Sequence, residues 1–131
     1  IVFEGDLTYG AASPLLPLVS LENGASNRVE MVKASGNSLL YGYLNANAAM
    51  AGVISSGSVF KSAVGFSASS AGISLSGAAE TAITVSAFAM QPNKLMIGSD
   101  ANGNAASSMH LRRLRIFNTN LPASTKQALT R

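Results

Sequence analysis

Short apolar runs that alternate with polar or small residues, each closed by a Gly, Asn or Ser cluster, recur along this chain. A period of two puts successive side chains on opposite faces of a strand, so that one face is buried and the other hydrated. Many such runs separated by turn signals define an all-β sandwich or barrel. Arg28 to Lys33 is the cleanest, with Val29 and Met31 expected inward and Arg28 and Glu30 outward. Leu39 to Leu44 sets Leu40, Gly42 and Leu44 against Leu39, Tyr41 and Tyr43. Further strands are expected from Ile1 to Tyr9, Leu15 to Glu22, Phe60 to Ser67, Gly72 to Ser76, Ile83 to Val85 and Lys94 to Gly98. Pro14 and Pro17 predict a sheet edge or a late start for Leu15 to Glu22, because proline cannot donate to a ladder. The segment Ala46 to Ser56 has the composition of a helix, but its neighbours argue for a strand. Turns are expected at Asn23-Gly24, at Ser35-Gly36-Asn37 and over Asp100 to Asn104.

The end of the chain reads differently. On strict alternation, Ser108 to Asn118 places Leu111, Arg113, Arg115 and Phe117 on one face and His110, Arg112, Leu114 and Ile116 on the other. Neither face is purely apolar, which predicts a bulge or an edge position. Pro122 suits an early helix position, and Lys126 and Arg131 suit the end of a short helix.

With 131 residues the chain is expected to be one domain, residues 1–131. Only 11% of residues are charged and 47% are hydrophobic, against about 25% charged in an average soluble domain. A surface of Ser, Ala, Asn and Gly rather than ions favours a homo-oligomer or a particle-bound protein over an isolated monomer. Without cysteine there is neither a disulfide framework nor a thiolate metal site. Ser and Gly interrupt every apolar stretch, so no membrane insertion is expected. The opening Ile-Val-Phe-Glu-Gly-Asp lacks a starting Met and a basic region, and predicts a piece of something longer rather than a signal peptide.

The net charge of +3 is uneven: after Asp100 there is no acid, while Arg112, Arg113, Arg115, Lys126 and Arg131 follow. The favoured expectation is that the arginines pair with Glu4, Asp6, Glu22, Glu30 or Glu80 on neighbouring strands. The alternative is that Arg112, Arg113 and Arg115 contact a partner or an anion. No recognition helix or aromatic set accompanies them, so no specific nucleic acid is expected.

Other chemistry is weakly signalled. Glu4-Gly-Asp6 has the alternate spacing of glycosidase carboxylates but no third acid beyond them, so a solvated or arginine-paired role is favoured and no catalytic residue is assigned. Asp100-Ala-Asn-Gly-Asn104 begins like a calcium loop, then has Ala105 where Gly belongs and Leu111 where Glu belongs; a hydrogen-bonded turn and no metal are expected. His110, the single histidine, is expected to pack or hydrogen-bond. No phosphate loop or other cofactor motif is present. Sugar binding needs an aromatic platform with amides. In the absence of Trp, Tyr41, Tyr43 and Asn45 form the best candidate glycan surface. The competing expectation has both tyrosines closing the edge of the sandwich core.

Several segments carry a resemblance. Met109-His-Leu-Arg-Arg-Leu-Arg-Ile-Phe117, a turn, and a short helical segment closing in Gln127-Ala-Leu-Thr130 resemble the C-terminal signature of concanavalin A-like (LamG-like) jelly-roll domains of bacteriophage tail and structural proteins. Phe60 to Gly77 looks like that family's central hairpin, Lys94-Leu-Met-Ile-Gly-Ser like the strand before its last crossover, and Asn27-Arg-Val-Glu like its early hairpin. The chain departs from the family at Ser69-Ser70, where relatives often have Asn-Asp, and at Pro122, where they have a Ser cap. The resemblance implies an antiparallel β-sandwich of the jelly-roll type with a short C-terminal helix. It also implies a non-enzymatic module of a virion, placed on a tail fibre or tail tip with host-surface glycan as ligand. The alternative is a capsid decoration or cement protein whose partners are other virion proteins.

Overall fold

The computed structural model describes residues 1–9, 14–23, 28–34, 39–44, 47–85, 93–99 and 107–131. Among these residues ten strands and one helix follow in order: β1 Val2–Leu7, β2 Leu16–Glu22, β3 Arg28–Lys33, β4 Leu39–Leu44, β5 Asn47–Val53, β6 Phe60–Phe66, β7 Ala71–Leu75, β8 Thr81–Ile83, β9 Lys94–Ile97, β10 Met109–Arg115 and α1 Ala123–Leu129. They form two antiparallel five-stranded sheets, the first ordered β10-β1-β6-β7-β8 and the second β5-β4-β3-β2-β9. β3 packs on β6, and β4 and β5 pack on β7 and β8. The order of the sheets therefore brings β10 to the same side as β9. The protein is an all-β sandwich with one short C-terminal helix.

The core lies between the sheets: Phe3, Leu7, Phe60, Val64 and Ile73 from the first meet Leu18, Val29, Met31, Leu40 and Leu44 from the second. Burying each such side chain contributes roughly 1.5–3 kcal/mol. The rings of Phe3 and Phe60 lie 5.4 Å apart. β3 and β4 follow their alternation as expected, with Val29, Met31, Leu40 and Leu44 in the core. Gly42 is the close approach between the sheets, since a Cβ there would stand 2.9 Å from Ile73 Cβ. β5 is a strand despite its alanines, because β4 offers it a full ladder from Leu39 to Leu44.

The structure refines several expectations. Of the two alternatives for β2, the late start holds and the edge does not: the strand begins at Leu16, lies inside its sheet and pairs with β9 only over its second half, from Val19 to Glu22. Pro17 thus lies beyond the β9 ladder and beside a bulge at Leu18, where a missing N–H costs little. The weak strand falls at Thr81–Ile83, earlier than its sequence implied, because Ala71 to Ile73 supply the pairing there. In β10, Glu4 pairs Arg113 and Gly5 pairs Leu111, leaving Arg112 as the extra residue of a bulge. Residues directly opposite each other share a face. Met109, Leu111 and Leu114 therefore join Leu7, Gly5 and Phe3 on the inner face, and His110, Arg113 and Arg115 join Asp6, Glu4 and Val2 outside. One inserted residue turns a mixed pattern into an amphipathic strand. The helix begins at Ala123 with Pro122 before it and no side-chain cap. Residues 24–27, 35–38 and 100–106, on which the expected turns fall wholly or in part, lie outside the described residues.

Candidate functional site

The outer face of the first sheet carries the chain's densest set of cations. Across the ladders Glu4 has Arg113 on one side and Lys61 on the other, and Val2 has Arg115. The C-terminal end of α1 closes over this row. A depression of about 180 Å³ is bordered by Lys61, Arg113, Arg115, Arg131 and Glu4. Lys61 Nζ donates to the Arg131 carbonyl at 2.6 Å.

The expected pairing of the arginines with upstream acids does not occur. Asp6 Oδ1 lies 2.9 Å from His110 Nδ1. Glu80 pairs with Lys126, and Glu30 Oε2 with Arg28 Nε at 3.3 Å. Glu22 accepts from Ser20 Oγ at 2.7 Å. Glu4 remains, and among the described residues it forms no ion pair with Arg113 or any other cation. Arg112, Arg113, Arg115 and Arg131 consequently have no carboxylate partner among the described residues. The reason is positional: the bulge aims Arg113 and Arg115 outward over a face where Asp6 is taken by His110, while β3 and α1 carry the cations that reach Glu30 and Glu80.

Lys126 holds α1 down. It is 2% exposed, is paired with Glu80 and donates to Asn120 Oδ1 at 3.2 Å. Asn120 Nδ2 in turn donates to Ser70 Oγ at 2.9 Å. The cluster sits over Gly65 and Gly72, opposite each other on β6 and β7, where a Cβ would collide with Asn120 and Glu80. Gln127 Nε2 donates to Gly77 O at 2.9 Å and Gly77 N to Thr130 Oγ1 at 3.1 Å. Beside this cluster the Ile1 α-amino group donates to Val64 O at 2.8 Å. Burial and then the charge of Lys126 push that amine down to about 6.

A larger cleft, of about 500 Å³, opens where β1 begins and β6 and β10 end. Leu21, Phe66, Ile116 and Phe117 supply apolar walls, and Asn118 and Thr119 the polar rim. Phe117 and Ile116 are 38% and 47% exposed, large values for such residues. The sequence reading missed this site. Its one available signal was an aromatic followed at once by Asn-Thr-Asn, the pairing of platform and amides that sugar binding requires.

Of the residues expected to bind glycan, Tyr41 lies on the outer face of the second sheet, opposite Val32 and Met50, and is half-buried. It does not close the core, whose β4 contributors are Leu40 and Leu44. Tyr43 pairs with Glu30 and Ala48. Asn45 lies outside the described residues, as do Asp100 to Asn104. Tyr41 does not line the cleft. His110 makes the hydrogen bond expected of it, and its partner Asp6 is held on the outer face. No cluster of three metal-ligating side chains exists among the described residues. Comparisons with protein-family models, with curated proteins and with solved structures each found no match.

Proposed function

We propose that the chain is a non-enzymatic jelly-roll module of a bacteriophage virion, carried on a tail fibre or tail tip, and that it binds host-surface glycan in the cleft between β6 and β10. The cleft carries the reading: Phe66 and Phe117 offer flat apolar surface to a sugar ring, while Asn118 and Thr119 offer donors and acceptors to its hydroxyls. The concanavalin A-like motifs support the virion setting. Of the spaced pair Glu4 and Asp6, Asp6 is tied to His110, and Glu80 is tied to Lys126. A glycan array probed with the domain should give binding that Phe117→Ala lowers about ten-fold or more, consistent with loss of one stacking anchor and its buried area. Binding unchanged in Phe117→Ala overturns the assignment of the cleft.

A second reading is favoured by one observation. Leu95, Ile97, Leu111, Ile116 and Phe117, all 38–47% exposed, gather on β9, β10 and the segment after β10. An apolar rim of this kind suits packing against other virion proteins, as in a capsid decoration or cement protein. Electron microscopy of particles separates the two: density on the capsid surface supports cement, and density at the tail supports the receptor module.

A further inference from the structure

We infer that the outer face of the first sheet is a second, anionic-ligand site: Arg113, Arg115, Lys61 and Arg131 bind a phosphate group in the depression between β10, β6 and the end of α1. Four cations border a space of about 180 Å³ whose one acidic side chain is Glu4. The acids that were available to neutralise them are committed elsewhere, Asp6 to His110, Glu30 to Arg28 and Glu80 to Lys126. One of the three donors of Lys61 is used on the Arg131 carbonyl, which leaves two for a ligand. Arg113 and Arg115 are two apart on the outward side of a ladder, so both guanidinium forks emerge on one surface. Guanidinium groups match phosphate oxygens two at a time, and charge-assisted bonds of this type are about twice as strong as neutral ones.

Net charge also argues for an anion. Placing four cations around one acidic side chain that pairs with none of them is unfavourable in the free protein, and a bound dianion relieves the repulsion. The bulge at Arg112 is what builds the site, because without it Arg113 would stand on the same side as Leu111. The site lies on the other sheet from Tyr41 and on the opposite face of β10 from Leu114. It goes beyond the glycan reading and stands or falls separately from it.

The test is a titration of the isotopically labelled domain with inorganic pyrophosphate, followed by NMR. Saturable shifts are expected at Glu4, Lys61, Arg113 and Arg115, weakening with added salt. Arg113→Gln/Arg115→Gln should lower the affinity about ten-fold or more, and Phe117→Ala should leave it unchanged. A parallel titration with polyglycerol phosphate identifies the source. Tighter binding per phosphate at the same residues points to a phosphate-bearing surface polymer, and equal binding points to free phosphate. Shifts that are absent, that spread equally to Arg28 and Lys94 on the second sheet, or that survive the double substitution overturn the proposal. If the double variant unfolds, Lys61→Gln with the same readout decides it.

Discussion

Lys33 is a costly residue in the sandwich. It has the parity of Val29 and Met31 and so faces inward, fully buried, with no hydrogen-bond partner for Nζ among the described residues. Its compensation is the Tyr9 ring, whose centroid lies 4.6 Å from Nζ. A desolvated cation–π contact is worth about 2 kcal/mol or somewhat more, and desolvating an ion costs several. Burial accordingly pushes the Lys33 ammonium below its ordinary value. The unfolded chain then binds the extra proton between the folded value and 10.5, so the stability deficit is full below that window and is relieved as pH rises through it. Lys33→Met should raise stability by about 1 kcal/mol at pH 7. In urea titrations at pH 7 and 10 the gain over wild type should shrink at the higher pH. Gly42 is the opposite case, a position defined by lack of space. Gly42→Val should cost about 1–3 kcal/mol through overpacking against Ile73, measured by the same titrations.

At the scale of elements, what the sequence revealed depended on whether a strand was regular. β3 and β4 were legible in boundary and facing because nothing interrupts their period of two. In β2 and β10 the strands were legible but their facings were not, because one bulge at Leu18 and another at Arg112 reverse the parity partway along. A consequence is measurable: Leu114→Asp should destabilise by about 2–3 kcal/mol, since Leu114 packs on the core beside Phe3. Arg113→Gln next to it should change stability by less than about 0.5 kcal/mol. The helix was legible as a short C-terminal element, but its attachment was not. Lys126 was expected to answer the helix dipole and instead spans to Glu80 over Gly65 and Gly72, residues that meet only in the folded sheet. Lys126→Met leaves Glu80 without its partner and should cost roughly 3 kcal/mol. Hydrogen exchange in residues 123–129 should speed up more than exchange in β3.

For the whole molecule, the sandwich brings together what lies far apart in the chain. The cleft combines Leu21, Phe66 and Phe117 from both sheets, and no local pattern could have joined them. The aromatic-plus-amide run Phe117 to Asn120 was visible in the sequence, but its setting depends on where β6 and β10 end. Tyr41 shares an uninterrupted strand with the core residues Leu40 and Leu44 yet faces away from them, so its parity was readable and its distance from the cleft was not. The two faces of β10 then divide the molecule's chemistry: apolar Leu111 and Leu114 toward the core, with the cleft at the strand's end, and Arg113 and Arg115 toward the anion site.

The most direct measurement is binding of the domain and its Phe117→Ala and Tyr41→Ala variants to an array of bacterial surface polysaccharides. Retention by at least one glycan, lost in Phe117→Ala and kept in Tyr41→Ala with both variants folded, is the predicted result. Retention that survives Phe117→Ala, or no retention by any glycan, contradicts it.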